Sequence, residues 1–250
     1  TANWYVANPK TGTVKLALPS GETKSYRGSL GLAFTSSGAR TVNHVVMEDY
    51  LRSVVPAEMP ASWAAEAVKA QSVAARTYAA RLRSAAAASA GYDLCDTSAC
   101  QVYKGLAWEN AASDRAIAAT ADQVLYHQGR PAMTEFSSAN GGWSAAGDAS
   151  QPYLKSQPDP YDGIKRDQSW QVTVSSAKLA NLFPGIGALI SVQVLARDGN
   201  GTYGGRVESV QLTGTAGALT VTGADFKRKL GLKERLFTVS TGTTNTLARK

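Results

Sequence analysis

No apolar run in the 250 residues approaches the roughly 18–20 needed to cross a bilayer. The alanine tract at 85–90 is interrupted by Ser89 and reads as a helix end. Histidine is scarce, with only His44 and His127, so a Ser-His-Asp triad is possible only if one of them falls into place. There is no Gly-x-Ser-x-Gly elbow, no P-loop, no Gly-x-Gly-x-x-Gly after a strand and no His-x-x-x-His pair. Nucleophilic, nucleotide and zinc chemistries are therefore poorly supported. Charged residues make up 18% and hydrophobic ones 44%, a globular balance that excludes wholesale disorder. The sequence opens at Thr1 without a methionine or a charged-then-apolar leader, as a chain with its secretory signal removed, or a trimmed one, would.

What charge there is leans positive, with a formal net of +7. A basic chain meets anionic partners such as nucleic acid, membrane surfaces or acidic polymers. The basic residues are scattered, however, and the densest run is Lys227-Arg228-Lys229. That run reads as a solvated helix face ahead of a nucleic-acid patch, and no groove-reading motif accompanies it. The two cysteines, Cys95 and Cys100, stand close together and alone. They read as a local disulfide formed in an oxidising compartment. A zinc site, the alternative, needs three or four ligands, and Asp93 and Asp96 are the only nearby candidates.

Residues 1–45 read as N-terminal strands: short apolar or alternating runs at Trp4–Val6, Thr13–Leu18 and Leu30–Phe34, separated by turn chemistry at Pro19–Gly21 and Ser36–Gly38. Residues 46–125 read as a helical core. Met47, Tyr50, Leu51 and Val54 keep helical spacing, and Pro56 is expected to close that helix. A long second helix is expected from about Trp63 to Ala88, with Ser62 as its cap and Ala67, Ala70, Ala74 and Tyr78 as its buried stripe. Lys69, Arg76 and Arg83 would line the opposite, solvated face. A loop follows at 91–106, then a helix over 111–121 capped by Asn110. Residues 126–240 read as a long loop, whose 144–168 stretch is rich in Pro, Asp and Gly, followed by strands near 172–174, 192–195 and 207–212. A helix at Gly223–Leu230, a final strand at Leu236–Val239 and a frayed last ten residues complete the reading. The order strands, helices, strands is that of an α+β fold, taken as a single domain over 1–250.

Carboxylates are the remaining catalytic candidates. Glu58 sits between Pro56 and Pro60, with Val55, Met59 and Trp63 nearby. A carboxyl in an apolar bend loses hydration, which raises its pKa toward that of a general acid at neutral pH. The competing reading is an exposed glutamate in a helix-linking turn. Gln71 falls in the expected buried stripe, and a buried amide needs partners: a neighbouring backbone, Glu58 or a sugar hydroxyl. Ser137, Ser138 and Asn140 precede Gly141-Gly142, which makes either a plain turn or a loop that a polar, hydroxyl-rich ligand can approach closely.

Glu48-Asp-Tyr-Leu-Arg-Ser-Val-Val-Pro-Ala-Glu-Met-Pro60 and Glu66-Ala-Val-Lys-Ala-Gln-Ser-Val-Ala-Ala-Arg-Thr-Tyr78 closely resemble the core of the SpoIID/LytB family. Gln101-Val-Tyr-Lys-Gly105, Ala119-Thr120 with Val124-Leu125, and Phe136-Ser-Ser-Ala-Asn-Gly-Gly142 share the resemblance, which extends more loosely over nearly the whole chain. It implies a secreted peptidoglycan lytic transglycosylase, a lyase of the sporulation type with a substrate cleft. Such an enzyme cuts between N-acetylmuramic acid and N-acetylglucosamine and leaves 1,6-anhydro ends. The family's catalytic glutamate falls on Glu58. Substrate contacts are implied at Gln71, Arg76, Tyr78, Gln101, Tyr103, Ser137, Ser138, Asn140, Gly141 and Gly142. One carboxyl suffices for this reaction; hydrolysis would need a second, for which Glu48, Asp49, Asp93, Asp96 and Glu135 are available. No cofactor is implied. Some relatives bind zinc near the cysteine loop, but no histidine lies in it here and no metal is carried over. Partners implied are glycan strands and a cell-wall amidase, since some members are amidase enhancers; nucleic acid is not among them. The sequence departs from the family at Asp122, where glycine is common, and at Trp143, where tyrosine or threonine is usual.

Overall fold

The computed structural model describes residues 5–7, 12–35, 38–86, 91–162, 169–240 and 246–249. The fold is α+β and divides into two compact units, Thr1–Phe136 and Ser137–Lys250.

Unit 1 begins with β1 (Tyr5–Ala7), β2 (Thr13–Ala17), β3 (Thr23–Arg27), β4 (Ser29–Thr35) and β5 (Gly38–His44). β2 and β3 form a hairpin, Thr13 opposite Arg27 and Ala17 opposite Thr23, closed at the expected Pro19–Gly21 turn. β1, β4 and β5 form an antiparallel sheet in the order β1-β4-β5. Trp4, Ser36 and Ser37 lie outside the described residues.

α1 (Met47–Glu58) runs through Pro56 and ends on Glu58, so the expectation that Pro56 closes the helix is corrected. Proline removes one helical N–H. Against that single loss, Leu51, Val54 and Val55 are completely buried, and Met59 N–H closes the last turn on the Val55 carbonyl at 3.0 Å. α2 (Ala65–Ala85) starts later than expected: its N-cap is Ala64, with no side-chain cap, so Ser62 does not cap it. Ala87 and Ala88 lie outside the described residues. Its buried face is Val68, Gln71, Ser72, Ala75, Arg76 and Ala79, turned by about one residue, or 100°, from the expected alanine stripe. α3 (Ala111–Ala119) carries the expected cap, the Asn110 side chain accepting from Ala112 N–H at 2.8 Å. Asp122, just beyond, has φ 61°, the left-handed conformation that glycine favours and that aspartate tolerates better than most residues. A small hairpin, β6 (Tyr126–His127) with β7 (Arg130–Pro131), follows.

The three helices enclose Leu51, Val54, Val55, Val68, Ala75, Ala116 and Ile117. Ion pairs tie strand to helices. Arg27 of β3 grips Glu109 with two bonds of 2.6 and 2.7 Å, and Arg52 of α1 reaches Asp114 of α3 at 2.8 Å.

Unit 2 contains β8 (Trp170–Thr173), α4 (Ser176–Leu182), β9 (Leu189–Arg197), β10 (Val207–Gly214), β11 (Gly217–Thr222), α5 (Gly223–Leu230), β12 (Thr238–Ser240) and β13 (Thr246–Arg249). Two antiparallel sheets form, β11-β10-β9 and β12-β13-β8. Residues 246–249, expected to fray, instead make the middle strand of the second sheet, because their backbone pairs on both sides. α4 was not anticipated, although Ser175 caps it by accepting from Lys178 N–H. Phe183, Phe226 and Phe237 stack in series at 5.7 Å per pair within an apolar core. Among the described residues no helix is long and apolar enough to cross a membrane.

Candidate functional site

Glu58 is the last residue of α1 and half-buried, with its Oε1 accepting from the Val102 N–H at 2.8 Å. Among the described residues this is its one hydrogen bond, which leaves Oε2 open. Of its apolar sequence neighbours, Val55 is in the core, Met59 packs half-buried against it and Trp63 is exposed.

The extended segment 101–104 is docked on α1 through alternate groups. Lys104 N–H donates to Ser53 Oγ at 2.9 Å, about a turn and a half upstream of the Glu58–Val102 bond. Alternating with these anchors, Gln101 and Tyr103 turn inward. Gln101 is fully buried: its Oε1 accepts from the Tyr50 hydroxyl at 3.1 Å and its Nε2 donates to the Ala75 carbonyl at 3.3 Å. Tyr103 donates its hydroxyl to Asn43 Oδ1 at 2.7 Å and stacks on Tyr50 and Tyr26, at 5.2 and 6.0 Å between centroids. Asn43 is itself held by the Arg27 and Ser29 carbonyls. Gly105 ends the segment at φ 78°, where any Cβ would strike the Ser25 carbonyl and the Tyr26 ring. Only glycine permits β3 and this segment to approach so closely.

Burial raises the hydroxyl pKa of Tyr50 and Tyr103 above the ordinary tyrosine value. The negative field of Glu58 adds to the rise at Tyr50. Tyr78 is raised too, first by burial and then by the fields of Glu135 and Glu58. Tyr50 and Tyr78 are thus proton-bearing neighbours of the Glu58 carboxylate.

The expected residues thus divide. Glu58, Tyr78, Gln101 and Tyr103 belong to one electrostatic and hydrogen-bonded neighbourhood of unit 1. Gln71 is buried as expected, and its Nε2 has no hydrogen-bond partner among the described residues. Arg76 is not part of a solvated stripe with Lys69 and Arg83: it is 2% exposed, because α1 and α3 cover it. Its Nε and Nη2 each meet a Glu48 oxygen at 2.8 Å, and Nη2 also reaches the Ile117 carbonyl at 3.3 Å. The polar atoms of Arg76 and Gln101 are therefore engaged by other groups of unit 1. Tyr50, Ser53 and the Val102 N–H were missed from sequence. Tyr50 carried a signal in its place on the apolar face of α1; the other two carried none.

Cys95 and Cys100 form the expected disulfide, with Cα atoms 5.5 Å apart. Among the described residues no group of three or more His, Cys, Asp or Glu side chains is arranged to hold a metal. A cavity of about 1090 Å³ lies beside this loop, lined by Tyr26, Tyr50, Tyr103, His44, Arg40 and Cys95 among others. Glu58 is not among its lining residues.

Ser137 to Gly142 belong to unit 2. Asn140 donates to Asp159 at 2.8 Å, and the Asn140 and Gly142 N–H groups both donate to the Asp162 carboxylate. Buried Arg206 binds the Asn140 and Trp143 carbonyls at 2.8 and 2.9 Å. Gly141 and Gly142 have φ of 75° and 83°, and Ser137 and Ser138 are exposed.

Residues 35–127 match the family model described as SpoIID, stage II sporulation protein. That segment contains Glu58, Gln71, Arg76, Tyr78, the disulfide and residues 101–104. Over 133 residues the chain is 38% identical to the amidase enhancer of Bacillus subtilis (strain 168), covering 52% of this chain and 17% of that protein. It is 30% identical to stage II sporulation protein D of the same organism over 217 residues, 79% of this chain and 61% of that protein. For stage II sporulation protein D of Bacillus amyloliquefaciens the identity is 30% over 221 residues, 79% of this chain and 62% of that protein. The chain thus spans less than two thirds of each of these relatives. The segment 35–127 thus resembles the SpoIID family, and over 79% of its length the chain is similar to two stage II sporulation proteins D.

Proposed function

We propose that the chain acts on the bacterial cell wall, outside the cytoplasm, as a lytic transglycosylase cleaving the MurNAc–GlcNAc bond of peptidoglycan. One observation carries the proposal: the Glu58 carboxylate is fixed through one oxygen by Val102 N–H and keeps the other open. A fixed oxygen sets the direction of the group, and the open one exchanges the proton.

In the first step protonated Glu58 donates to the glycosidic oxygen as the C1–O bond breaks. In the second its carboxylate takes the proton of the muramic C6 hydroxyl, which attacks C1 and closes the 1,6-anhydro ring. The proton lost in the first step is regained in the second, so one carboxyl and no water suffice. Gln71, with its unpartnered Nε2, and Tyr78 would meet the saccharide. Arg76, Gln101 and Tyr103 hold the frame. Ser137, Ser138, Asn140, Gly141 and Gly142 are assigned to glycan contact on resemblance alone.

The test is digestion of purified peptidoglycan, intact and stripped of stem peptides, with products read by mass spectrometry. The expected result is anhydro-muramic ends from the wild type and a loss of about 10³-fold in Glu58→Gln. New reducing ends would instead mean hydrolysis, with Glu135 the first partner to examine because its field reaches Tyr78. The 38% identity to an amidase enhancer favours a second reading, a wall-binding module that stimulates an amidase without cutting glycan. Stimulation of an amidase unchanged by Glu58→Gln, with no glycan products, would establish it.

A further inference from the structure

We infer that the Cys95–Cys100 disulfide is a positioning element for Glu58, so that glycan cleavage depends on the oxidation state of this loop. The inference rests on the assignment of Glu58 as the acid/base.

The connection is short. Only Gln101 separates Cys100 from Val102, whose N–H holds the carboxylate at 2.8 Å. The loop is closed twice: covalently between Cys95 and Cys100, and by Tyr103 N–H donating to the Asp96 carbonyl at 3.1 Å. Further bonds lie inside it, among them Cys95 N–H to Cys100 Sγ at 3.1 Å and Cys100 N–H to the Thr97 carbonyl at 3.0 Å. Gln101, Tyr103 and Lys104 are anchored on unit 1, but the path of the chain into residue 101 is set by the bridge. Residues 96–99 are exposed and both cysteines are only half-buried, so a small reductant reaches the bond. With the bridge open, residues 95–100 are held only by solvent-accessible hydrogen bonds that water competes for, and the Val102 N–H is fixed less tightly, by the anchors of its neighbours alone.

The chemistry balances with an external dithiol. Its thiolate attacks one sulfur through a mixed disulfide. Two electrons and two protons pass to the protein, which gains thiols at 95 and 100 while the dithiol closes into its own disulfide. Oxidation, the reverse reaction, would complete the site once the chain has reached an oxidising compartment.

The experiment is amide hydrogen exchange of the whole chain with and without dithiothreitol, run beside kcat and KM for glycan cleavage. Reduction is expected to speed exchange at Val102 and leave the interior amides of α5 unchanged. It is expected to lower kcat at least about tenfold with KM held within about twofold, since orientation and not binding is lost. Cys95→Ser/Cys100→Ser should match the reduced wild type and ignore dithiothreitol. Val102→Pro deletes the N–H without touching the cysteines, and it should lower kcat and remove most of the response to reductant. Equal exchange at Val102 in both redox states overturns the inference. Faster exchange together with full activity in Glu58→Gln would instead overturn the assignment of Glu58 and leave the coupling standing.

Discussion

Unit 1 and unit 2 bury different kinds of side chain. Among the described residues, the buried polar and charged side chains of unit 1 are Ser53, Gln71, Ser72, Arg76, Thr77, Gln101, Ser113 and Thr120. Unit 2 has one, Arg206, beside a core of stacked phenylalanines, leucines and valines. Apolar burial stabilises without direction, whereas each buried polar group constrains the geometry of its partners. Unit 2 is built as a stable body. Unit 1 is built to aim groups: Ser53 and Gln101 fix the segment that holds Glu58, and Arg76 fixes the start of α1 against α3.

The contrast can be broken most forcefully in unit 2. Phe226→Ala removes the middle ring of the stack and should cost about 4 kcal/mol, read from the urea transition of that unit. A cost under about 1 kcal/mol would deny the stack its role. In unit 1 the sharper measurement is an asymmetry. Glu48→Ala leaves the Arg76 cation buried without its partner and should cost about 3 kcal/mol. Arg76→Met leaves behind Glu48, which is partly open to water, and should cost less. Equal costs would mean that burial of the cation is not what matters. Tyr50→Phe strands Gln101 Oε1 in a buried site and should cost about 1–2 kcal/mol. It should also lower glycan cleavage; unchanged activity would sever Gln101 from the site.

The smallest effect at working pH is an alkaline one. The folded-state pKa values of Tyr26, Tyr50, Tyr78 and Tyr103 lie above the ordinary value, chiefly through burial. The folded chain therefore holds these protons when the unfolded chain has begun to lose them. Their contribution is fully present below about pH 10 and is lost as pH rises through the folded values. Stability of unit 1 should fall above pH 10, and denaturant midpoints measured between pH 8 and 11 would check it.

Local chemistry was readable from the sequence. The Asn110 cap, the bounds of α5, the hairpin turn at Pro19–Gly21 and the cysteine pair all follow from residues within a few positions of one another. What escaped depends on distant partners. Nothing near Arg76 announces that α1 and α3 cover it. Pro56 argued for a helix end, but the burial of Leu51, Val54 and Val55 outweighs one missing N–H. The 246–249 strand has no strong pattern of its own and owes its form to backbone pairing on both sides. At the candidate site, Glu58 stands out by its place between two prolines and by resemblance, whereas its partner is a main-chain N–H, which no side-chain pattern can mark.

The Glu58–Val102 contact also bears on the order in which the molecule is made. It joins residues 44 positions apart, and the Tyr103–Asn43 bond beside it joins residues 60 apart. Closing chain loops of that length is entropically slower than winding α1 or α2, whose bonds are local. As the chain folds, the local bonds of both helices can form while the carboxylate still lacks its partner. The site is then a late product of folding, assembled after the scaffold that carries it.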